Sequence, residues 1–201
     1  FPGLASKDFE VLQVVSQVLY NGKAGLIDLD LNQQQKVLNS YGYPMGLADY
    51  SAFILGGLPK QGQTLEEVKD LLLNEIKKLR AGEFDEKMLQ ANINNFKLYE
   101  LQSMESNEGR ADIFVNSFIN GTNWKDEVTA IDRMAKLTKE DIVAFADKYL
   151  KEDNYAVVYK KQGKDPNEKK MTKPEITPIV SNRDVASPFL TSIQENAVRP
   201  I

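Results

Sequence analysis

Residues 62–101 constrain the fold of this chain most, because they carry the start signals of two consecutive helices and the stop signal of the first. Thr64 followed three residues later by Glu67 forms a capping box, in which each side chain satisfies a backbone N–H that the first turn leaves unpaired. Gly82 provides the left-handed residue that commonly ends a helix. These signals predict a helical hairpin whose first helix has an apolar stripe, formed by Leu65, Val68, Leu72, Ile76 and Leu79.

The second helix of the hairpin is predicted from its cap and its spacing. Asp85 is the expected N-cap, and Phe84 is expected to pack onto Leu89 as a hydrophobic staple. The apolar face then continues at spacings of three to five residues. Its members are Leu89, Ile93, Phe96 and Leu101, and the aromatic series Phe96, Tyr99, Phe114 and Phe118 is predicted to pack in the core.

The rest of the chain alternates helical patterns with a few strand patterns. Ser6 is predicted to cap a first helix that ends at Asn21-Gly22, and residues 23–32 are predicted to form a short helix. Residues 36–43 and 50–58 read as an antiparallel strand pair joined by a turn at residues 44–46. Further helices are predicted up to Gly121, over residues 124–134 and from Thr138, before a last strand at residues 155–161.

This order predicts an α+β two-layer sandwich, in which a small, mainly antiparallel sheet has its helices packed on one face. Residues 1–161 are expected to form the α/β domain. Residues 162–201 contain five of the eight prolines and are predicted to be a Pro-rich linker or strap, with one short helix opened by Ser187-Pro188-Phe189.

The composition excludes several kinds of chemistry. The chain has no cysteine and no histidine, which removes thiolate catalysis, the Ser-His-Asp triad and the commonest zinc ligands. A net charge of −4 does not favour nucleic-acid binding. No apolar run approaches the ~20 residues that span a bilayer. We therefore identify no catalytic, metal-binding or cofactor-binding residue, and we expect neither nucleic acid nor membrane as a partner.

One motif resembles a metal site but fails its own pattern. Asp28-x-Asp30-x-Asn32 imitates the start of a calcium-binding EF-hand loop, but the required glycine is replaced by Gln33 and the required glutamate by Asn39. We therefore predict that these side chains lie on a solvated helix face.

The order of the segments resembles the second, non-catalytic domain of the insulinase/pitrilysin-like zinc metallopeptidases, the inverzincin group that includes the mitochondrial processing peptidases. The likeness covers about three quarters of the chain. It is carried by residues 8–20 (DFEVLQVVSQVLY), 51–54 (SAFI), 62–68 (GQTLEEV), 77–84 (KKLRAGEF), 131–142 (IDRMAKLTKEDI), 148–150 (KYL) and the strand that starts at Tyr155.

The resemblance implies a sandwich of the LuxS/processing-peptidase-like metallopeptidase-half type, with the first strand of the domain outside these residues and further domains on both sides. In that family, an H-x-x-E-H motif in the preceding domain binds the catalytic zinc. None of that motif can be placed here, because the chain has no histidine. The implied function is a wall of the chamber that holds a peptide substrate beside the homologous catalytic domain of the same polypeptide.

Two alternatives stay open at this point. The chain could be a stand-alone α/β binding or regulatory module, or a pseudo-peptidase subunit that acts by assembly. The residues before Phe1 would discriminate among the three, through an intact, a degenerate or an absent H-x-x-E-H motif.

Overall fold

The structure is a computed structural model that describes residues 1–164, 169, 171–178 and 185–195. The chain divides into two compact units, Phe1–Tyr159 and Lys160–Ile201. The first unit contains α1 (Lys7–Leu19), a π-helical turn (Asp28–Asn32), β1 (Asn39–Gly46), β2 (Ser51–Leu58), α2 (Leu65–Arg80), α3 (Lys87–Met104), α4 (Asn107–Ile119), α5 (Trp124–Val128), α6 (Ala130–Met134) and α7 (Lys139–Tyr149). The described part of the second unit contains α8 (Pro188–Glu195), which confirms the short helix predicted there.

The predicted start and end of the first hairpin helix are confirmed, whereas α3 has Glu86, and not the predicted Asp85, as its N-cap residue. The backbone N–H of Glu67 donates to Thr64 Oγ1 at 3.1 Å, and the N–H of Thr64 donates to Glu67 Oε2 at 2.7 Å. Gly82 follows the helix at φ +70°, as a left-handed C-cap requires. Asp85 Oδ1 accepts from the N–H of Lys87 at 2.9 Å, so Asp85 satisfies an otherwise unpaired donor in the first turn of α3.

β1 and β2 form an antiparallel pair in which Asn39 lies opposite Leu58 and Gly46 lies opposite Ser51. The side of this sheet that carries Gly57 is covered by α2: a Cβ at Gly57 would lie 2.4 Å from Val68 Cγ1. No described residue covers the opposite side, where Tyr43 and Met45 are 47% and 42% exposed. The α+β sandwich with helices on one face is therefore confirmed.

The core lies beneath the sheet, where α1, α2 and α7 meet. Each of these helices contributes the buried stripe that its spacing predicts. The fully or nearly fully buried residues are Leu12, Val15, Val18 and Leu19 from α1, Leu72, Ile76 and Leu79 from α2, and Ile142, Phe145 and Ala146 from α7.

The turn predicted at residues 44–46 is wrong, because β1 continues to Gly46. Pro44 is tolerated because β1 is an edge strand. Ser40, four residues before Pro44, shows which edge is the outer one: its N–H donates to Asn32 Oδ1 and its carbonyl accepts from Asn32 Nδ2, each at 2.8 Å. Backbone groups alternate sides along a strand, so the missing N–H of Pro44 also belongs to the outer edge, where β2 needs no donor.

Two other predicted elements differ from the structure. Residues 124–134 form two short helices because Thr129, at φ −112° and ψ 6°, leaves the helical conformation between them. The strand predicted at residues 155–161 is not formed. A strand satisfies its backbone only through a neighbour, and no neighbouring strand is paired with this segment in the described residues.

Candidate functional site: an open sheet face and a bare helical face

Within the described residues, no group of three His, Cys, Asp or Glu side chains is placed to hold a metal ion. In the same part of the chain, no helix has the length and apolar character to cross a membrane. The candidate functional features of the described residues are surfaces. The buried and half-buried polar clusters have structural partners, described next.

The Asp28-x-Asp30-x-Asn32 motif does not lie on a solvated helix face, so that prediction is wrong. Asp28 is buried, and its Oδ2 accepts from the N–H groups of Asn21 and Gly25, each at 3.0 Å. The Asn32 side chain forms two hydrogen bonds with the backbone of Ser40 in β1. The π-helical turn points these side chains inward, where each has a structural partner.

Asp30 belongs to the most buried ionic cluster of the described residues. Lys78 Nζ donates to Asp30 Oδ2 at 2.5 Å and to Glu75 Oε1 at 2.9 Å. Glu75 is 1% exposed, and burial raises its pKa above the usual value. The cluster joins α2 to the π-helical turn, and Lys78 compensates the buried carboxylate. Because every member is paired, removing one partner would leave an uncompensated buried charge, so the cluster has a structural role in this part of the fold.

Two further ion pairs connect α1 with α6 and α7. Arg133 donates to Glu10 through both Nε and an Nη, which gives a forked pair between α6 and α1. Lys148 donates to Asp8 at 3.0 Å, and the Tyr149 hydroxyl donates to the same carboxylate. These bonds lower the pKa of Asp8, chiefly through Tyr149. They position α7 against α1 and so hold the layer on which the sheet rests.

The first candidate surface is the uncovered side of the β1–β2 hairpin, which we call the open sheet face. The rings of Tyr41 and Tyr43 stack along it, with centroids 6.1 Å apart. A Cβ at Gly56 would lie 2.3 Å from the Tyr41 ring, so the glycine lets that ring lie flat on β2. Met45 and Leu58 are exposed large apolar side chains of the same hairpin.

The sequence of β2 itself contains a signal for this surface. Residues 50–58 (YSAFILGGL) are apolar without alternation. A strand with only one buried face should alternate polar and apolar residues, and a continuous apolar run is typical of a strand covered on both faces.

The second candidate surface is an exposed apolar region on α3, α4 and α5, which we call the bare helical face. Here the prediction that the aromatic series packs in the core is wrong for Tyr99, Phe114 and Phe118, whereas Phe96 is partly buried and packs against the core as predicted. Phe114 is 60% exposed and Phe118 is 87% exposed, although the Phe114 ring stacks on Trp124 at 4.4 Å. The other exposed members are Leu98, Tyr99, Leu101, Val115 and Ile119. Large exposed apolar patches are typical of surfaces that contact another protein, a membrane or a ligand, so this face is the second candidate site.

Comparison with known proteins finds likeness in structure. No protein-family model and no curated protein matches the chain. A protease from Helicobacter pylori superposes with a TM-score of 0.68 at 22% identity, over 76% of this chain and 37% of that protein, so the chain spans well under half of its length. The inactive peptidase domain of a protein named as a zinc protease, from Bordetella parapertussis, gives a TM-score of 0.67 at 19% identity, over 77% of this chain and 84% of that one.

A protein named as a zinc protease from Bordetella pertussis Tohama I gives a TM-score of 0.64 at 18% identity, over 77% of this chain and 86% of that one. At these identities, the likeness concerns the fold alone. The chain therefore has the fold of a domain found in zinc proteases, one example of which is an inactive peptidase domain.

Proposed function

We propose that this chain is the non-catalytic domain of an insulinase/pitrilysin-like zinc metallopeptidase, and that its open sheet face lines the path of the peptide substrate. The observation that carries the proposal is the exposure of Tyr43 and Met45, beside the half-buried Tyr41, on a domain that shares the fold of an inactive peptidase domain. Stacked aromatic rings offer a large apolar contact area at small entropic cost, which suits extended peptides of many sequences.

The bare helical face supports the second half of the proposal, which concerns the partner. A homologous catalytic domain, with zinc held by its own H-x-x-E-H motif, would cover Phe118 and its neighbours. The open sheet face would then remain turned toward the substrate. In this arrangement, peptide hydrolysis belongs to the partner domain, and the present residues bind and orient the peptide.

The test is a binding measurement on this chain with a matched pair of variants. An unstructured peptide rich in apolar residues is titrated while backbone NMR shifts are followed. We expect the largest shifts at Tyr43 and Met45, and Tyr43→Ser should weaken binding about tenfold. Phe118→Ser, which removes an exposed aromatic from the bare helical face, should leave the affinity unchanged. Shifts confined to the Phe118 region would contradict the proposed peptide path.

A second measurement concerns the reaction. In a polypeptide that also carries the catalytic domain, Tyr43→Ser should raise KM for peptides with little change in kcat, because it removes binding that is the same in ground and transition states. Hydrolysis of the same peptides by this chain alone would refute the non-catalytic role.

A further inference from the structure

A cavity of about 190 Å³, which we call the α2 cavity, lies between the C-terminal half of α2 and the residues that follow α7. Leu73 and Ile76 line it from α2, and Leu150 and Tyr155 line it from the segment after α7. Ile76 is 8% exposed and belongs to the core, whereas Tyr155 is 49% exposed. The cavity is therefore apolar at its base and open to solvent on one side.

The remaining residues that line the α2 cavity are charged, and most of them are cations. Lys77, Arg80 and Lys151 accompany a single acid, Glu152. The chain as a whole has a net charge of −4, so this local excess of positive charge runs against its general character. A concave site lined by one sign of charge attracts ligands of the opposite sign.

The Arg80 side chain is held in place and still has free donors. Its Nε donates to Asp147 at 2.9 Å, while its two Nη groups make no hydrogen bond to any described residue. The Nε bond limits rotation of the guanidinium, and the Nη edge keeps N–H groups that can bind both oxygens of one carboxylate. Arg80 is therefore prepared to receive an anion.

The other cations of the α2 cavity are only weakly engaged. Lys77 Nζ lies 3.8 Å from Glu152 Oε1, and these two side chains are 63% and 76% exposed. A pair of this exposure contributes little to stability, so a better placed carboxylate could replace Glu152. No ion pair of the described residues includes Lys151, which is exposed.

The volume of the α2 cavity limits the size of what can enter. Sites for whole small ligands usually enclose roughly 300–1,000 Å³. The α2 cavity is smaller than this range. It therefore suits one apolar side chain together with a single anionic group.

The cations also restrict what can be attached to that anionic group. A free amino acid carries an ammonium beside its carboxylate, and this charge would be brought close to Lys77 and Lys151. In the last residue of a peptide, the same nitrogen belongs to a neutral amide, so the repulsion is absent. The charges therefore favour a peptide C-terminus over a free amino acid.

We propose that the α2 cavity binds the C-terminal residue of a peptide, with its carboxylate on Arg80 and its apolar side chain against Ile76. Lys151 supplies a second positive charge beside the carboxylate. α2 packs on the side of the sheet that carries Gly57, opposite the open sheet face. The α2 cavity is therefore separate from the peptide path proposed above, and this inference does not rest on that function.

The experiment titrates the chain with four compounds while backbone NMR shifts are followed. N-acetylphenylalanine has the carboxylate, the apolar side chain and the neutral amide. Phenylalanine has an ammonium in place of the amide, N-acetylphenylalaninamide lacks the carboxylate, and N-acetylglycine lacks the side chain. N-acetylphenylalanine should shift residues 76–80 and 150–152 with a dissociation constant of about 1 mM, as expected for a ligand of its size. The other three should bind about tenfold more weakly.

Two variants and a control test the assigned residues. Arg80→Gln should weaken the binding of N-acetylphenylalanine about tenfold and remove its advantage over the amide. Lys151→Gln changes an exposed side chain without an ion pair, so it should fold normally and weaken binding about threefold. Lys125→Gln, at an exposed cation of α5, is the control and should leave the affinity unchanged.

Equal affinities for N-acetylphenylalanine and its amide would overturn the proposal, and so would unchanged affinity in both Arg80→Gln and Lys151→Gln. Phenylalanine that binds as tightly as N-acetylphenylalanine would assign the cavity to a free amino acid, which also overturns it. Shifts at Tyr43 and Met45 in place of those near Arg80 would place the compound on the open sheet face. That result would overturn the C-terminal site and leave the proposed function intact.

Discussion

α2 and α4 both carry apolar residues four positions apart, but those of α2 are buried and those of α4 are exposed. In α2, Leu72 and Ile76 are each 8% exposed, because the helix lies between β2 and α7. In α4, Phe114 and Phe118 recur at the same spacing of four, yet Phe118 is 87% exposed, since the main contacts of α4 are with α3 and α5. Periodicity therefore shows which side of a helix is apolar, and only tertiary structure shows whether anything covers that side.

The largest expected effect is at the covered stripe. Leu72→Ala should lower the free energy of unfolding by about 2–5 kcal/mol, because it leaves a cavity between α2 and β2. Phe118→Ala, its matched control on α4, should change it by less than about 0.5 kcal/mol. Urea unfolding of both variants measures the difference. Similar losses of unfolding free energy in the two variants would mean that the stripes of α2 and α4 do not differ in burial.

The buried ionic cluster of α2 should give the next largest effect. Lys78→Met keeps most of the side-chain volume but leaves Glu75 without its cation, so we expect a loss of about 1–3 kcal/mol. Lys69→Met is the control, because Lys69 pairs at 3.2 Å with the exposed Asp70, and such a pair contributes at most ~1 kcal/mol. Thermal unfolding of the two variants tests this order, and an equal shift in Tm would contradict it.

The Asp8 bonds predict a pH dependence for the covered side of the domain. The folded-state pKa of Asp8 is lowered below the ordinary 3.8, chiefly by Tyr149 and then by Lys148. Its contribution to stability is therefore complete above the unfolded-state value and is lost as pH falls through the lower, folded value. Asp8→Asn should be less stable than the natural chain above about pH 5, and the gap should close toward about pH 2. A gap that is constant with pH in urea titrations would contradict this account.

Glu75 should act in the opposite direction, and the two groups can be separated. Its folded-state pKa is raised by burial, so its ionisation costs stability as pH rises through and above 4.5. Comparing Asp8→Asn with the natural chain at each pH cancels this second dependence.

The smallest effect on stability, and the most informative one about function, belongs to the bare helical face. Phe118→Ser should shift the free energy of unfolding by less than about 0.5 kcal/mol, while it reduces self-association and the binding of an apolar dye. Phe145→Ser, in the buried stripe of α7, is the contrasting variant and should destabilise the fold strongly. Unchanged dye binding in Phe118→Ser would mean that the exposed aromatics do not act as one patch.

The local signals in the sequence were sufficient where the interaction is local. Thr64 with Glu67 and Thr138 with Asp141 form capping boxes because both partners lie within one turn. The signals failed where the outcome depends on a distant neighbour. Residues 155–161 have strand-forming side chains, but no described strand pairs with them. Asp28 is buried because a π-helical turn, which the sequence periodicity does not predict, points it inward.

The candidate surfaces divide in the same way. The apolar character of β2 and α4 can be read from the sequence, but the absence of a covering layer cannot. The absence of histidine and cysteine could be read with certainty, and it limits the chemistry that any arrangement of these residues could perform.

Pro44 has a consequence for how copies of this chain could assemble. On the outer edge of β1, Pro44 offers no donor and Ser40 is already bonded to Asn32, so that edge cannot accept another strand over its length. Edge-to-edge pairing between the sheets of two copies must therefore use the β2 edge of both, beyond the bonds that Ser51 already makes with Phe1. Such a contact is isologous and closes as a symmetric pair, whereas a sheet with two usable edges could add copies without end and grow into a fibre.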